Sequence, residues 1–188
     1  MFPADTVYGL ACDPGSAGAV ARLYELKGRP PRKPAAVMFF ALERALAALP
    51  ELGPRTRAAA QALLPGALTL LLSNPEQRFA LACGPDPGTL GLRVPALSGA
   101  IAALGAVAVP VLQSSANLSG GADARTLGEV DPTLRAGADL VLDGGPLPGT
   151  PSTVLDLRAY EADGTWAVLR EGALDRRAIA GILLEASD

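Results

Sequence analysis

The chain contains no histidine in 188 residues. That removes Ser-His-Asp and Cys-His nucleophile systems, imidazole-ligated metals and histidine acid–base catalysis. Cysteine is scarce as well. Cys12 and Cys83 are too few and too far apart for a zinc site or a disulfide framework, and read as buried or incidental thiols in a reducing cytoplasm. No apolar run approaches the ~20 residues of a membrane span, and the first residues show neither a basic segment nor a cleavable signal pattern. There is no GxGxxG after a strand and no GxxxxGK[ST] loop, so neither a Rossmann dinucleotide site nor a P-loop is expected. Aromatics are only 4% of the residues, which leaves Ala, Leu and Val to fill the interior. A net charge of −3 argues against broad, nonspecific nucleic-acid binding but leaves room for a local basic cleft.

What is present fits one domain with a sizeable core. Ser16 can cap a helix running to about Leu26, stopped by Gly28, Pro30 and Pro31. Ala35 to Phe40, Ala67 to Leu72, Thr89 to Val94 and Val107 to Gln113 read as strands. Helices are expected over Glu43 to Leu49, Arg55 to Leu64, Ser98 to Leu104 and, weakly, Thr126 to Ala136. Pro75 to Gly88 reads as a loop-rich excursion. Asp139 to Leu142 is expected as a short strand, and Thr153 to Leu157 and Trp166 to Leu169 as two strands around a turn near Asp163-Gly164. Asp175 caps a last helix reaching Leu184. The alternation predicts an α/β domain with a mixed, twisted sheet, without internal repeat or dividing linker.

Two polar islands stand out. Lys27-Gly28-Arg29-Pro30, followed by Lys33, closes the first helix with fixed positive charge. Ser114-Ser115-Ala116-Asn117-Leu118-Ser119-Gly120 follows an apolar strand and offers hydroxyls, an amide and small residues that allow close backbone approach. Strand ends of this kind are favoured binding positions in α/β sheets. Together they describe a site for a phosphorylated ligand; alone, the first could be a solvated basic helix end and the second a helix cap or Asx turn. Arg93, inside an apolar strand, either binds a carboxylate or phosphate or pairs with an internal acid. Thr6, Ser152 and Arg170 are weak signals singly; Arg170 could simply pair with Glu171.

As a set the segments are recognisable. PADTVYGL, LKGRP, KPAAVMFF, LPGALTLLL, LGLRVP, SSANLSG, PSTVLDL and LREG occur in the order found in YrdC-type threonylcarbamoyl-AMP synthases, and the chain resembles that family from Phe2 to Ala173. The resemblance implies a single-domain YrdC-like α/β fold over residues 1–188, a mixed sheet with flanking helices around a positively lined cavity. It also implies a strand and helix upstream of the first motif, which this sequence lacks. The implied reaction joins L-threonine, bicarbonate and ATP into L-threonylcarbamoyladenylate and pyrophosphate. That intermediate supplies the threonylcarbamoyl group of adenosine 37 in tRNAs reading codons that begin with A, through a downstream tRNA threonylcarbamoyl transferase complex.

Carried over residue by residue, the resemblance implies catalytic roles for Lys27, Arg29, Ser115 and Asn117. It implies ATP contacts from Arg29, Lys33, Thr89, Ser115, Asp123 and Arg170, and L-threonine contacts from Thr6, Met38, Arg93, Gln113 and Ser152. Magnesium is implied with ATP, bridging its phosphate oxygens, with no protein metal ligand set. Three positions depart from the family pattern. Ala4 replaces a threonine, Gln113 replaces a small residue, and Asp123 stands where a serine contacts ATP; an aspartate there repels phosphate unless it binds magnesium. The alternatives are a double-stranded RNA- or tRNA-binding module, an inactive truncated paralogue, or a carbamoyl-adenylate former serving another transferase. A cytoplasmic location and no membrane partner are expected.

Overall fold

The computed structural model describes residues 1–186. Its frame is an eight-stranded mixed sheet. The chain enters through β1 (Phe2–Pro3), a turn at Asp5 and Thr6, and β2 (Tyr8–Cys12). Helix α1 (Ala17–Leu26) follows, with Ser16 Oγ accepting from the Ala19 amide as predicted. Next come β3 (Ala36–Met38), α2 (Leu42–Ala48), α3 (Pro54–Leu63) and β4 (Leu68–Ser73). The short α4 (Ala80–Cys83) interrupts the loop before β5 (Thr89–Arg93). After a 3-10 segment, Gly99–Ala106, the chain forms β6 (Val111–Ser115). The second half adds α5 (Pro132–Ala136), β7 (Thr153–Asp156), α6 (Tyr160–Asp163), β8 (Ala167–Arg170) and α7 (Arg176–Glu185).

Strand order is β1-β2-β6-β3-β5-β4-β7-β8, with β3/β5 and β4/β7 parallel and the other pairs antiparallel. Because side chains alternate across a strand, register sorts the residues into two faces. One row runs Leu112, Val37, Leu92, Leu70, Leu155, each beside its neighbour in the ladder and each fully buried. It belongs to the same apolar core as Leu23 and Tyr24 of α1, Ala59 and Leu63 of α3 and Ile179 of α7. The row one residue out of phase runs Gln113, Ala36, Gly91, Leu71. Its central residues are too small to fill the space above them, and that face carries the cavity described below.

The expected architecture is found, with local differences. Asp139–Leu142 is irregular rather than a strand. The Leu142 amide does bond the Met1 carbonyl, but Gly144, Gly145 and Pro146 end the pairing before a ladder forms. The connection near Asp163-Gly164 is a helical turn, α6, closed by Gly164 at φ +77°. Pro110 delays β6 to Val111, and Pro132 splits the region from Thr126 into a 3-10 turn, Leu127–Glu129, and α5. The helix expected after Ser98 is 3-10 in form.

Candidate functional site

A cavity of about 430 Å³ lies on the small-residue face of the sheet, within the size range of ligand pockets. Its floor is Ala36 and Gly91, and its walls come from alternate residues: Thr69 and Leu71 of β4, Thr89 and Arg93 of β5, Gln113 and Ser115 of β6. Ser152 and Pro151 at the start of β7, Arg170 of β8, and Arg29, Asp86 and Asp123 from loops complete it. Three arginines therefore face two carboxylates, and the lining has net positive character.

Arg93 holds the most buried charge of the cavity lining, with 5% of its side chain exposed. Nη2 donates to Asp5 Oδ1 at 2.8 Å and to Thr6 Oγ1 at 3.3 Å, and Nη1 donates to Gln113 Oε1 at 3.2 Å. Burial lowers its guanidinium pKa and raises that of the Asp5 carboxyl, and in each case the partner's charge works against the shift. The two readings of Arg93, internal pairing and ligand contact, are thus not exclusive: it is paired with an acid and still lines the cavity. Arg29 is placed differently. Its guanidinium lies 5.6 Å from the centre of the Tyr24 ring and donates to the Pro34 carbonyl. Arg170 donates to the Ser152 carbonyl at 2.6 Å and to its hydroxyl at 3.3 Å, not to Glu171.

Among the described residues, the buried side-chain polar atoms without a partner are Arg29 Nε, Arg93 Nε and Arg135 Nε. A buried donor left unsatisfied is costly. Two of the three belong to arginines of this one cavity, and the nitrogens themselves are covered by protein.

The serine-asparagine loop is locked from behind. Lys27 Nζ donates to the Ser115 carbonyl and, at 3.1 Å, to Asn117 Oδ1; the Lys27 carbonyl accepts from the Ser119 amide at 2.9 Å. Ser115 Oγ donates to Asn117 Oδ1 at 2.7 Å. Gly28, at φ +56°, supplies the reversal that carries the chain from Lys27 to Arg29. Lys27 is 1% exposed. Burial, reinforced by Arg29, lowers its pKa to about 8.

Of the residues singled out in the sequence, Arg29, Thr89, Arg93, Gln113, Ser115, Asp123, Ser152 and Arg170 converge on the cavity. Lys27, Asn117 and Thr6 stand one layer back, contacting residues of the lining. Lys33 is exposed on the loop beyond Arg29. Met38 is buried with Phe2, Ala4 and Phe40, beside Arg93 in the ladder and outside the cavity lining. Sequence reasoning passed over Asp5, Asp86 and Thr69. Thr69 Oγ1 lies 2.9 Å from Ser152 Oγ, and its signal was a lone hydroxyl at an inner position of an apolar strand. Asp86 Oδ2 accepts the Thr89 hydroxyl proton at 2.6 Å.

The family model for Sua5/YciO/YrdC proteins, described as telomere recombination, matches residues 1–172. The chain belongs to the Sua5/YciO/YrdC family. A threonylcarbamoyl-AMP synthase from Xanthomonas axonopodis pv. citri is 33% identical over 162 residues, spanning 84% of this chain and 86% of the relative. Sua5 of P. abyssi, solved in complex with L-threonine, superposes with a TM-score of 0.77 at 29% identity; the match covers 96% of this chain and 52% of that one. E. coli YciO gives a TM-score of 0.76 at 26% identity, covering 95% of this chain and 84% of its own. The chain thus spans most of the Xanthomonas relative and about half of the P. abyssi Sua5. The cavity occupies the domain that this Sua5/YciO/YrdC family shares.

Proposed function

We propose that the chain is an L-threonylcarbamoyladenylate synthase, a nucleotidyltransferase that joins L-threonine, bicarbonate and ATP for the threonylcarbamoylation of adenosine 37 in tRNA. The single observation that carries this reading is the convergence of three arginines, Arg29, Arg93 and Arg170, with Thr89, Ser115 and Ser152 on one cavity. A polyphosphate and an amino-acid carboxylate are the acceptor-bearing ligands that such a set of donors suits. The threonylcarbamoyl-AMP synthase named among the relatives performs chemistry of this class.

In this reading Arg29 and Arg170, with Lys33, Thr89 and Ser115, hold the triphosphate, while Arg93, Thr6, Gln113 and Ser152 hold L-threonine against the inner wall. The threonine amine attacks the bicarbonate carbon, and loss of water gives the carbamate. A carbamate oxygen then attacks the α-phosphorus, the bond to the β-phosphate oxygen breaks, and pyrophosphate leaves. Proximity supplies much of the barrier reduction, and fixed cations stabilise the charge developing on the phosphates. Lys27 and Asn117 act from behind by fixing the Ser115 loop. The wall carries two carboxylates, Asp86 and Asp123, and among the described residues no group of three metal-ligating side chains is present. Magnesium accordingly enters as MgATP, with Asp123 as the candidate contact to it. The product passes to a tRNA threonylcarbamoyl transferase in the cytoplasm. An RNA-binding role draws less support, since the chain carries a net charge of −3.

Threonine-dependent release of pyrophosphate from MgATP with bicarbonate tests the reading. Release that requires both bicarbonate and L-threonine, and falls with L-serine, is the expected result. Release independent of amino acid, or none from folded protein, overturns it.

A further inference from the structure

Asp5 lies in the turn between β1 and β2, and its carboxylate grips two points. Oδ1 accepts from Arg93 Nη2 at 2.8 Å, and Oδ2 accepts from the Ala96 amide at 3.1 Å, three residues beyond Arg93 in the chain. Both side chains of the ion pair are buried, 5% and 6% exposed. With Thr6 Oγ1 and Gln113 Oε1 as further acceptors, the guanidinium is held in one orientation. Arg29 and Arg170 differ. Their hydrogen bonds go to a backbone carbonyl, and to a carbonyl and a hydroxyl, and neither has a carboxylate partner among the described residues.

The three arginines of the cavity therefore fall into two electrical classes. Arg29 and Arg170 form no direct ion pair among the described residues and share the cavity with Asp86 and Asp123, whereas Arg93 is paired before any ligand arrives. Inside a protein a direct ion pair matters, because Coulomb interactions are weakly screened there. A polyanion gains most beside the two arginines whose guanidinium groups are not already held by a carboxylate. A zwitterion, which brings no net charge, can sit beside the paired Arg93 without leaving surplus charge buried.

Building on the synthase reading, we propose that Asp5 is a positioning residue that neutralises and orients Arg93, reserving that subsite for the zwitterionic amino acid and keeping phosphate groups out of it. Asp5 touches neither substrate and acts through Arg93.

The test is calorimetric titration of L-threonine into the wild-type chain and the Asp5→Asn variant, each with and without inorganic phosphate, with circular dichroism to monitor folding. In the wild type, phosphate leaves threonine affinity unchanged. In Asp5→Asn, threonine binding weakens about tenfold or more, as for loss of one hydrogen bond to a charged group, and phosphate weakens it further in a competitive manner. A purely structural role for Asp5 would not create phosphate competition. Competition by phosphate in the wild type overturns the proposal, as does an Asp5→Asn variant with wild-type threonine affinity and no competition. If Asp5→Asn does not fold, the wild-type arm decides alone. Absence of threonine binding to the folded wild type overturns the synthase reading as well, a result distinct from either of the others.

Discussion

Lys27, at the end of α1, donates to the carboxamide oxygen of Asn117 at 3.1 Å, across 90 residues of sequence. The same ammonium reaches the Ser115 carbonyl. Two segments that look like separate polar islands are thus a single unit. The lysine is a buried strut, and the surface it supports is the serine loop at the cavity wall.

A pH signature follows from that burial. The Lys27 pKa is lowered from 10.5 to about 8 in the fold, first by desolvation and next by Arg29. Between those values the unfolded chain binds more protons than the folded one, so this group makes stability rise with pH across the window. Below about 8 both states are charged and the cost of burying the ammonium is fully present. Denaturant midpoints measured across that window are expected to climb more steeply in the wild type than in Lys27→Met. Parallel pH curves for the two proteins would contradict the assignment.

Arg29→Ala separates the two ligands. Removing this guanidinium, which no carboxylate already holds, is expected to raise the KM for ATP about 10- to 100-fold, the loss of one or two hydrogen bonds to a charged group. The KM for threonine stays close to the wild-type value, because Arg93 keeps its partners in Asp5, Thr6 and Gln113. Steady-state kinetics varying each substrate in turn measures the split.

Gly172 has no room for a side chain. A Cβ there would sit 2.2 Å from the Pro151 carbonyl oxygen and 2.7 Å from the Thr153 nitrogen, all backbone. Gly172→Ala is expected to destabilise the protein by about 3 kcal/mol, the upper part of the overpacking range. It would also displace Pro151 and Ser152 from the cavity wall. Thermal or denaturant unfolding gives the first effect, and pyrophosphate release the second.

Gln113 and Gly9 are expected to be energetically coupled. A Cβ on Gly9 would lie 2.7 Å from Gln113 Nε2, while Gln113 Oε1 is held by Arg93. Gly9→Ala alone must push the amide aside. In a Gln113→Ala background the same methyl keeps only an ordinary contact, 3.4 Å to the Ser114 carbonyl oxygen. A double-mutant cycle on stability should return a coupling of about 1 kcal/mol, within the range for residues in contact. Additive effects would mean that Gln113 moves freely.

Much of the frame was legible because it depends on local pattern. Ser16 and Asp175 announced their helices through caps, and the leucines of β4 and β5 announced buried strands. The Asp139–Leu142 expectation failed because a short apolar run can lie beside a partner, here Met1, without forming a ladder when Gly144, Gly145 and Pro146 end the pairing at once. Arg93 was found as a charge within an apolar strand and Ser115 in the polar island that follows one, whereas Thr89 and Gln113 came only from the family resemblance. Asp5 was not, since an aspartate in a turn is unremarkable until a buried arginine is found against it. Thr69 was overlooked for the opposite reason, one hydroxyl among leucines being tolerated in most strands.

The sequence by itself determined the α/β class, the order of most elements, the absence of imidazole chemistry and the residues able to meet a phosphorylated ligand, because these follow from composition, periodicity and side-chain chemistry. Only the tertiary structure decided which charges are compensated. Lys27 was drawn behind the wall, Arg93 was paired with Asp5, and Arg29 and Arg170 were left without a direct carboxylate partner among the described residues, through contacts between strands and loops far apart in the chain. Desolvation and Coulomb energy depend on those distances, and spacing along a sequence does not contain them.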